Sequence, residues 1–221
     1  MRFTPKYTAL LLSLMLINLP FFNISAQGTK NKKYWKAIEQ NDSKSLIKIL
    51  DKGQNPNERN QEGNTALHVA INLEHWDLLL PLLNAGADPN ATNQIHETSL
   101  IRLIKKKNSY YVSTLLKFGA EVNQADFSGN TPLHWACRYT NEKVVYEILN
   151  KGAEIDYQNN FRETPLHLAA SYGRMKVVEL LLTNGADPSI TDSMDHKASD
   201  IADEKGYPQI VSILSTRKEV K

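Results

Sequence analysis

The 221-residue chain is 41% hydrophobic and 23% charged, the balance of a soluble globular protein and not of a disordered one. Its 26 Lys and Arg face 24 Asp and Glu, and setting aside residues 1–26, which hold Arg2 and Lys6 and no acid, leaves 24 against 24. A chain with no basic surplus is a poor neutraliser of phosphates, so nucleic acid is not the expected partner.

The first element in chain order differs in kind from the rest. Arg2 and Lys6 precede a nearly unbroken apolar run from Ala9 to Phe22, and Ile24-Ser25-Ala26 stands before Gln27. That order predicts a signal peptide over 1–26, cut after Ala26. An uncleaved anchor is the alternative, but the run is short, broken by Asn18 and Pro20, and lacks a basic stop-transfer flank. The mature protein is therefore expected in a periplasm or secreted, with no membrane contact after cleavage. Cys137 is the only cysteine, so no internal disulfide can form even in an oxidising compartment.

From about residue 30 onward the chain repeats itself. Thr131-Pro132-Leu133-His134-Trp135-Ala136 recurs 33 residues on as Thr164-Pro165-Leu166-His167-Leu168-Ala169. Steps of the same length backward reach Thr98-Ser99-Leu100 and Thr65-Ala66-Leu67-His68-Val69-Ala70, and a step forward reaches Lys197-Ala198, a worn copy. Gly53, Gly86, Gly119, Gly152 and Gly185 keep the same period. It divides the chain into a capping repeat over 27–59, repeats over 60–92, 93–125, 126–158 and 159–191, and a capping repeat with tail over 192–221. An end unit has one face without a neighbour, which accounts for the degenerate caps.

Each motif opens a helix. Thr accepts the orphan N–H groups of a helix start, and Pro132 and Pro165 stand at the first helical position, where a missing N–H costs nothing. A second apolar helix follows, such as Val177 to Leu182, and stops at Gly185, the residue best suited to a left-handed helix end. The polar stretch from each glycine to the next Thr predicts a projecting turn. The unit over 93–125 departs most: Ile101 replaces the motif histidine, Leu103-Ile104 the small pair, and His96 an expected glycine. Pro81 falls within a predicted outer helix, where it is tolerable only in the first turn, with Asp77 as the cap.

Thr-Pro-Leu-His-x-Ala and Gly-Ala-Asp-x-Asn at this period resemble the ankyrin repeat family over essentially residues 30–214. The resemblance implies an all-α repeat solenoid of helix-turn-helix units with short β-turn fingers. It also implies a structural histidine bonding successive loops, and a protein partner bound on the concave surface of finger tips and inner helices.

Six histidines invite a metal or catalytic reading, but His68, His134 and His167 share one repeat position and so are strung along the stack, while His75, His96 and His196 lack ligand spacing. Cys137 takes a small-pair position, which predicts a packed, inert thiol. No phosphate loop, nucleophile elbow or carboxylate pair appears, so neither enzyme activity nor a cofactor is expected. The fingers carry Ile95, Phe127, Phe161 and Met194, and the open ends of the inner helices carry Lys105, Lys106, Arg138, Tyr139 and Tyr172. Aromatic side chains and arginine at water-facing positions are the chemistry of binding hot spots, unless the rings fold back onto neighbouring fingers. Lys105 to Lys107 is either a solvated helix end or a basic patch for an acidic partner surface. The expected function is an exported, monomeric module that binds a protein through Ile95, Lys105, Lys106, Phe127, Arg138, Tyr139, Phe161 and Tyr172. A periplasmic inhibitor of the immunity type and a secreted effector acting on host proteins are the alternatives.

Overall fold

The computed structural model describes residues 31–140 and 142–216. The expected signal peptide over 1–26 and the tail beyond 216 lie outside the described residues. The described repeats belong to one unit, which begins at Lys33.

The motif threonines start helices where the sequence places them. The inner helices are α1 (Lys32–Glu39), α3 (Ala66–Asn72), α5 (Ser99–Lys105), α7 (Pro132–Tyr139), α9 (Pro165–Ser171) and α11 (Ala198–Glu204). Each is followed by an outer helix: α2 (Ser43–Leu50), α4 (Leu79–Asn84), α6 (Ser109–Lys117), α8 (Glu142–Asn150), α10 (Met175–Thr183) and α12 (Pro208–Thr216). From α3 to α11 each inner helix packs on the next, and from α6 to α12 each outer helix does the same. Among the described residues the β pairings are isolated bridges at finger bases, Arg59 with Thr65, Thr92 with Thr98 and Thr191 with Lys197. The protein is the all-helical repeat solenoid that the period predicts.

The core follows from the repeat. Leu67, Leu100, Leu133 and Leu166 are each wholly or almost wholly buried, worth roughly 1.5–3 kcal/mol apiece in transfer free energy. The bulky Leu103 and Ile104 of the divergent unit are as fully buried as Ala136, Cys137, Ala169 and Ala170 in the next two. Pro81 does fall in a first turn, but Asp77 is not the cap. Trp76–Leu78 forms a short 3-10 turn entered from His75, and α4 starts only at Leu79. Pro81 is thus the third residue of α4, and its carbonyl still accepts from the Ala85 N–H at 3.1 Å.

A single Asx side chain builds each finger. Oδ1 of Asn60, Asn93, Asp126, Asn159 and Asp192 accepts the backbone N–H groups two and four residues on, for example Ser128 at 2.9 Å and Asn130 at 3.0 Å in the Asp126 finger. The turn needs a left-handed residue at its end, and His96 adopts φ 56° where Gly129 has 77°. Only glycine fits at 129, since a Cβ there would lie 2.6 Å from Asn160 Oδ1. Adjacent fingers are joined by backbone bonds from Phe127 to Ile95, Asn160 to Ser128 and Ser193 to Phe161, which fixes the register of the tips.

Candidate partner-binding surface

The motif histidines are buried structural links. Thr131 N–H and its hydroxyl lie 3.2 and 2.9 Å from His134 Nδ1, while His134 Nε2 lies 3.0 Å from the Glu163 carbonyl in the next finger. A carbonyl only accepts, so Nε2 carries the proton and Nδ1 accepts: the ring is neutral. His68 and His167 repeat the arrangement with Glu97 and His196. Burial holds His68 and His134 down at about 4 and lowers His167 in the same direction. In the divergent unit, where Ile101 replaces histidine, the Thr98 hydroxyl caps the helix directly by accepting from Ile101 N–H at 3.3 Å. The Cys137 thiol is fully buried, and burial pushes its ionisation well above the usual range.

The side chains that differ between repeats gather over α5, α7 and α9. Trp135 and Tyr139, one turn apart on α7, stack with centroids 5.6 Å apart and planes 7° from parallel. The Arg138 guanidinium carbon lies 5.5 Å from the Trp135 ring, 5.0 Å from Tyr139 and 4.8 Å from Tyr172 on the next unit. Lys105 Nζ sits 4.0 Å from the Trp135 centroid, and Lys107 Nζ lies 5.8 Å from Tyr139.

Two carboxylates hold this cluster. Glu97, almost fully buried, binds Arg102 and Lys105 at 2.7 Å each. Burial pushes its carboxyl upward, but the two cations outweigh that and hold it below the ordinary range. Asp126 spends Oδ1 on its finger turn and uses Oδ2 to accept the Trp135 indole N–H at 2.8 Å, with Lys105 Nζ at 3.9 Å. One lysine therefore bridges both carboxylates and lies over the indole.

Of the eight residues singled out from sequence, Arg138, Tyr139, Tyr172 and Lys105 meet in this cluster. Lys106 lies beside it, paired with Glu74 at 3.2 Å on the surface. Ile95, Phe127 and Phe161 are on the linked finger tips, 50%, 76% and 47% exposed, so the rings do not fold away. Lys105 is more committed within the protein than a solvated helix end or a free basic patch would be. Sequence reasoning missed Trp135, Glu97 and Asp126. Trp135 fills the variable position of Thr-Pro-Leu-His-x-Ala, Glu97 stands where Asn64 and Asn130 do with Glu163 repeating it, and Asp126 stands where Asn60, Asn93 and Asn159 do with Asp192 repeating it. Those differences between copies were the available signal.

No helix among the described residues is long and apolar enough to cross a membrane. A family model described as ankyrin repeats (3 copies) matches residues 34–126 and 72–159, and one described as ankyrin repeats (many copies) matches 148–202. No curated protein matches the chain. Such repeats generally mediate protein–protein interaction and are typically non-enzymatic. With matches running from residue 34 to 202, the chain belongs to the ankyrin repeat family.

Proposed function

We propose that this chain is an exported binding module that holds a protein partner against the finger and inner-helix face of units 93–125, 126–158 and 159–191. The observation that carries the reading is Arg138 framed by Trp135, Tyr139 and Tyr172, beside exposed Phe127 and Phe161. Rigid aromatic side chains lose little conformational entropy on binding, and an arginine already held among rings loses less than a free one, so a patch of this kind gives affinity from few residues. Export is supported by the order of charge, apolar run and small residues in 1–26. Binding as a monomer in a bacterial periplasm is the setting that fits best.

Capture from a periplasmic extract by the wild type and by a Phe127→Ala/Tyr139→Ala double variant tests the face. The double variant is expected to lose the bound protein while keeping its helical content. Equal recovery by both proteins rejects this surface. Mass spectrometry of the exported chain is expected to find Gln27 at its N-terminus.

A further inference from the structure

The partner segment that this face receives has a definite charge. Six cations stand on or beside the cluster: Arg102, Lys105, Lys106, Lys107, Arg138 and Arg174. Arg102, Lys105 and Lys106 are held by Glu97, Asp126 and Glu74, whereas Lys107, Arg138 and Arg174 have no ion pair among the described residues. The surplus is local, since the chain beyond residue 26 carries as many acids as bases. Arg138 Nε and Arg174 Nε are both buried atoms without a hydrogen-bond partner, although Arg174 Nη2 donates to the Arg138 carbonyl at 3.0 Å. Beside them Tyr139, Glu142, Gly173, Arg174 and Lys176 line an open cleft of about 460 Å³, where Glu142 is paired with Lys176 at 3.8 Å and so leaves Arg174 as an unpaired cation.

We propose that Arg138, with Lys107 and Arg174 beside it, receives the carboxylates of an acidic segment of the partner protein, while Phe127 and Phe161 take apolar side chains flanking those acids. This rests on the protein-binding reading above and specifies its chemistry. A guanidinium held among rings is planar and partly desolvated, and its N–H donors can grip a carboxylate with two bonds. A guanidinium in a partly dry site gains more from an anion than solvated lysines do. A nucleic acid would need a basic stripe along the stack, and here the basic residues end against exposed apolar finger tips.

The test uses the purified protein and two short fluorescent peptides of equal length. One carries glutamates in a glycine background with two phenylalanines, and the other has every glutamate replaced by glutamine. The glutamate peptide is expected to bind about tenfold or more tightly than the glutamine peptide, and to weaken as salt rises. Arg138→Met, which keeps the apolar stem, is expected to remove about tenfold of that affinity, and Arg138→Lys to recover little of it. Lys107→Met, at an exposed site with no packing role, is expected to cost severalfold and serves if the Arg138 variants fold poorly. Equal binding of the two peptides, no binding of either, undiminished binding by Arg138→Met or Lys107→Met, or stronger binding of a single-stranded oligonucleotide each overturns the proposal. The binding face itself survives such a failure if the Phe127→Ala/Tyr139→Ala variant still loses the natural partner.

Discussion

Replacing Asp126 by Asn changes one atom at the centre of the candidate surface and leaves the fold a way to tolerate it. The finger needs only Oδ1, and Asn60, Asn93 and Asn159 build the same turn with that atom. With Oδ1 committed to Ser128 and Asn130, the new amide must aim its NH2 where Oδ2 now accepts the Trp135 indole N–H at 2.8 Å and faces Lys105 at 3.9 Å. A donor then meets a donor, and a cation loses a nearby charge. A hydrogen bond to a charged group is worth about 1.5–3 kcal/mol net, and because Trp135 and Lys105 are only partly buried water recovers part of it, so about 1 kcal/mol of stability is expected to go. For a chain of this size that is a fall of about 2–4 °C in Tm. Far-UV circular dichroism is expected to stay constant, and the near-UV signal removed by Trp135→Phe to shrink as the ring loosens. Partner binding weakens with it, because the stacked Trp135–Tyr139–Arg138 arrangement is no longer held. An unchanged Tm together with an unchanged Trp135 signal refutes the role given to Oδ2.

Two further predictions concern stability. Asn57, Asn90 and Asn123 each clamp the following repeat by donating to a glycine carbonyl and accepting a backbone N–H, but Asp156 makes only the second contact, to Asp187 N–H at 3.1 Å. Asp156→Asn is expected to add a bond to the Gly185 carbonyl and remove repulsion from Asp187, stabilising by about 1 kcal/mol in urea titration; a lower midpoint counts against the clamp. His68 and His134 titrate at about 4 when folded against an ordinary 6.5, so the unfolded chain binds the extra protons in between. Their stability is fully present above about pH 6.5 and is lost as pH falls toward about 4, by about 1 kcal/mol per pH unit for each histidine. Glu97, whose carboxyl is held low, extends the loss below the ordinary carboxylate range. Urea midpoints that stay level between neutral pH and about pH 5 contradict the neutral, doubly bonded histidines.

Much of this protein was legible in its sequence because the interactions that set the repeat are short-range or recur at a fixed interval. Threonine caps, prolines at the first helical position, glycines at helix ends and the buried Leu series each act within one turn or one period, so reading one copy reads them all. Pro81 marks where that logic thins: its first-turn position was foreseeable, but the 3-10 turn at Trp76–Leu78 was not, since it concerns how one outer helix begins against its neighbours. The exposed finger residues were also readable, because a finger tip has nothing outside it to bury them.

The period, the helices and the fingers are thus what the sequence determined by itself, while the neutral state of the motif histidines came from their bonds and burial in the structure. Tertiary structure alone decided that Glu97, Lys105, Asp126, Trp135 and Arg138 form one set. They come from two adjacent units, 93–125 and 126–158, and the repeat motif does not include the contacts between them, so neither spacing nor motif links them. Stacking sets the inner helices of adjacent units side by side, and only then does a lysine from one meet the indole and carboxylate of the next. The repeat marked the positions of the candidate surface, such as Arg138, Tyr139 and Tyr172, but which side chains meet there depends on where the copies differ.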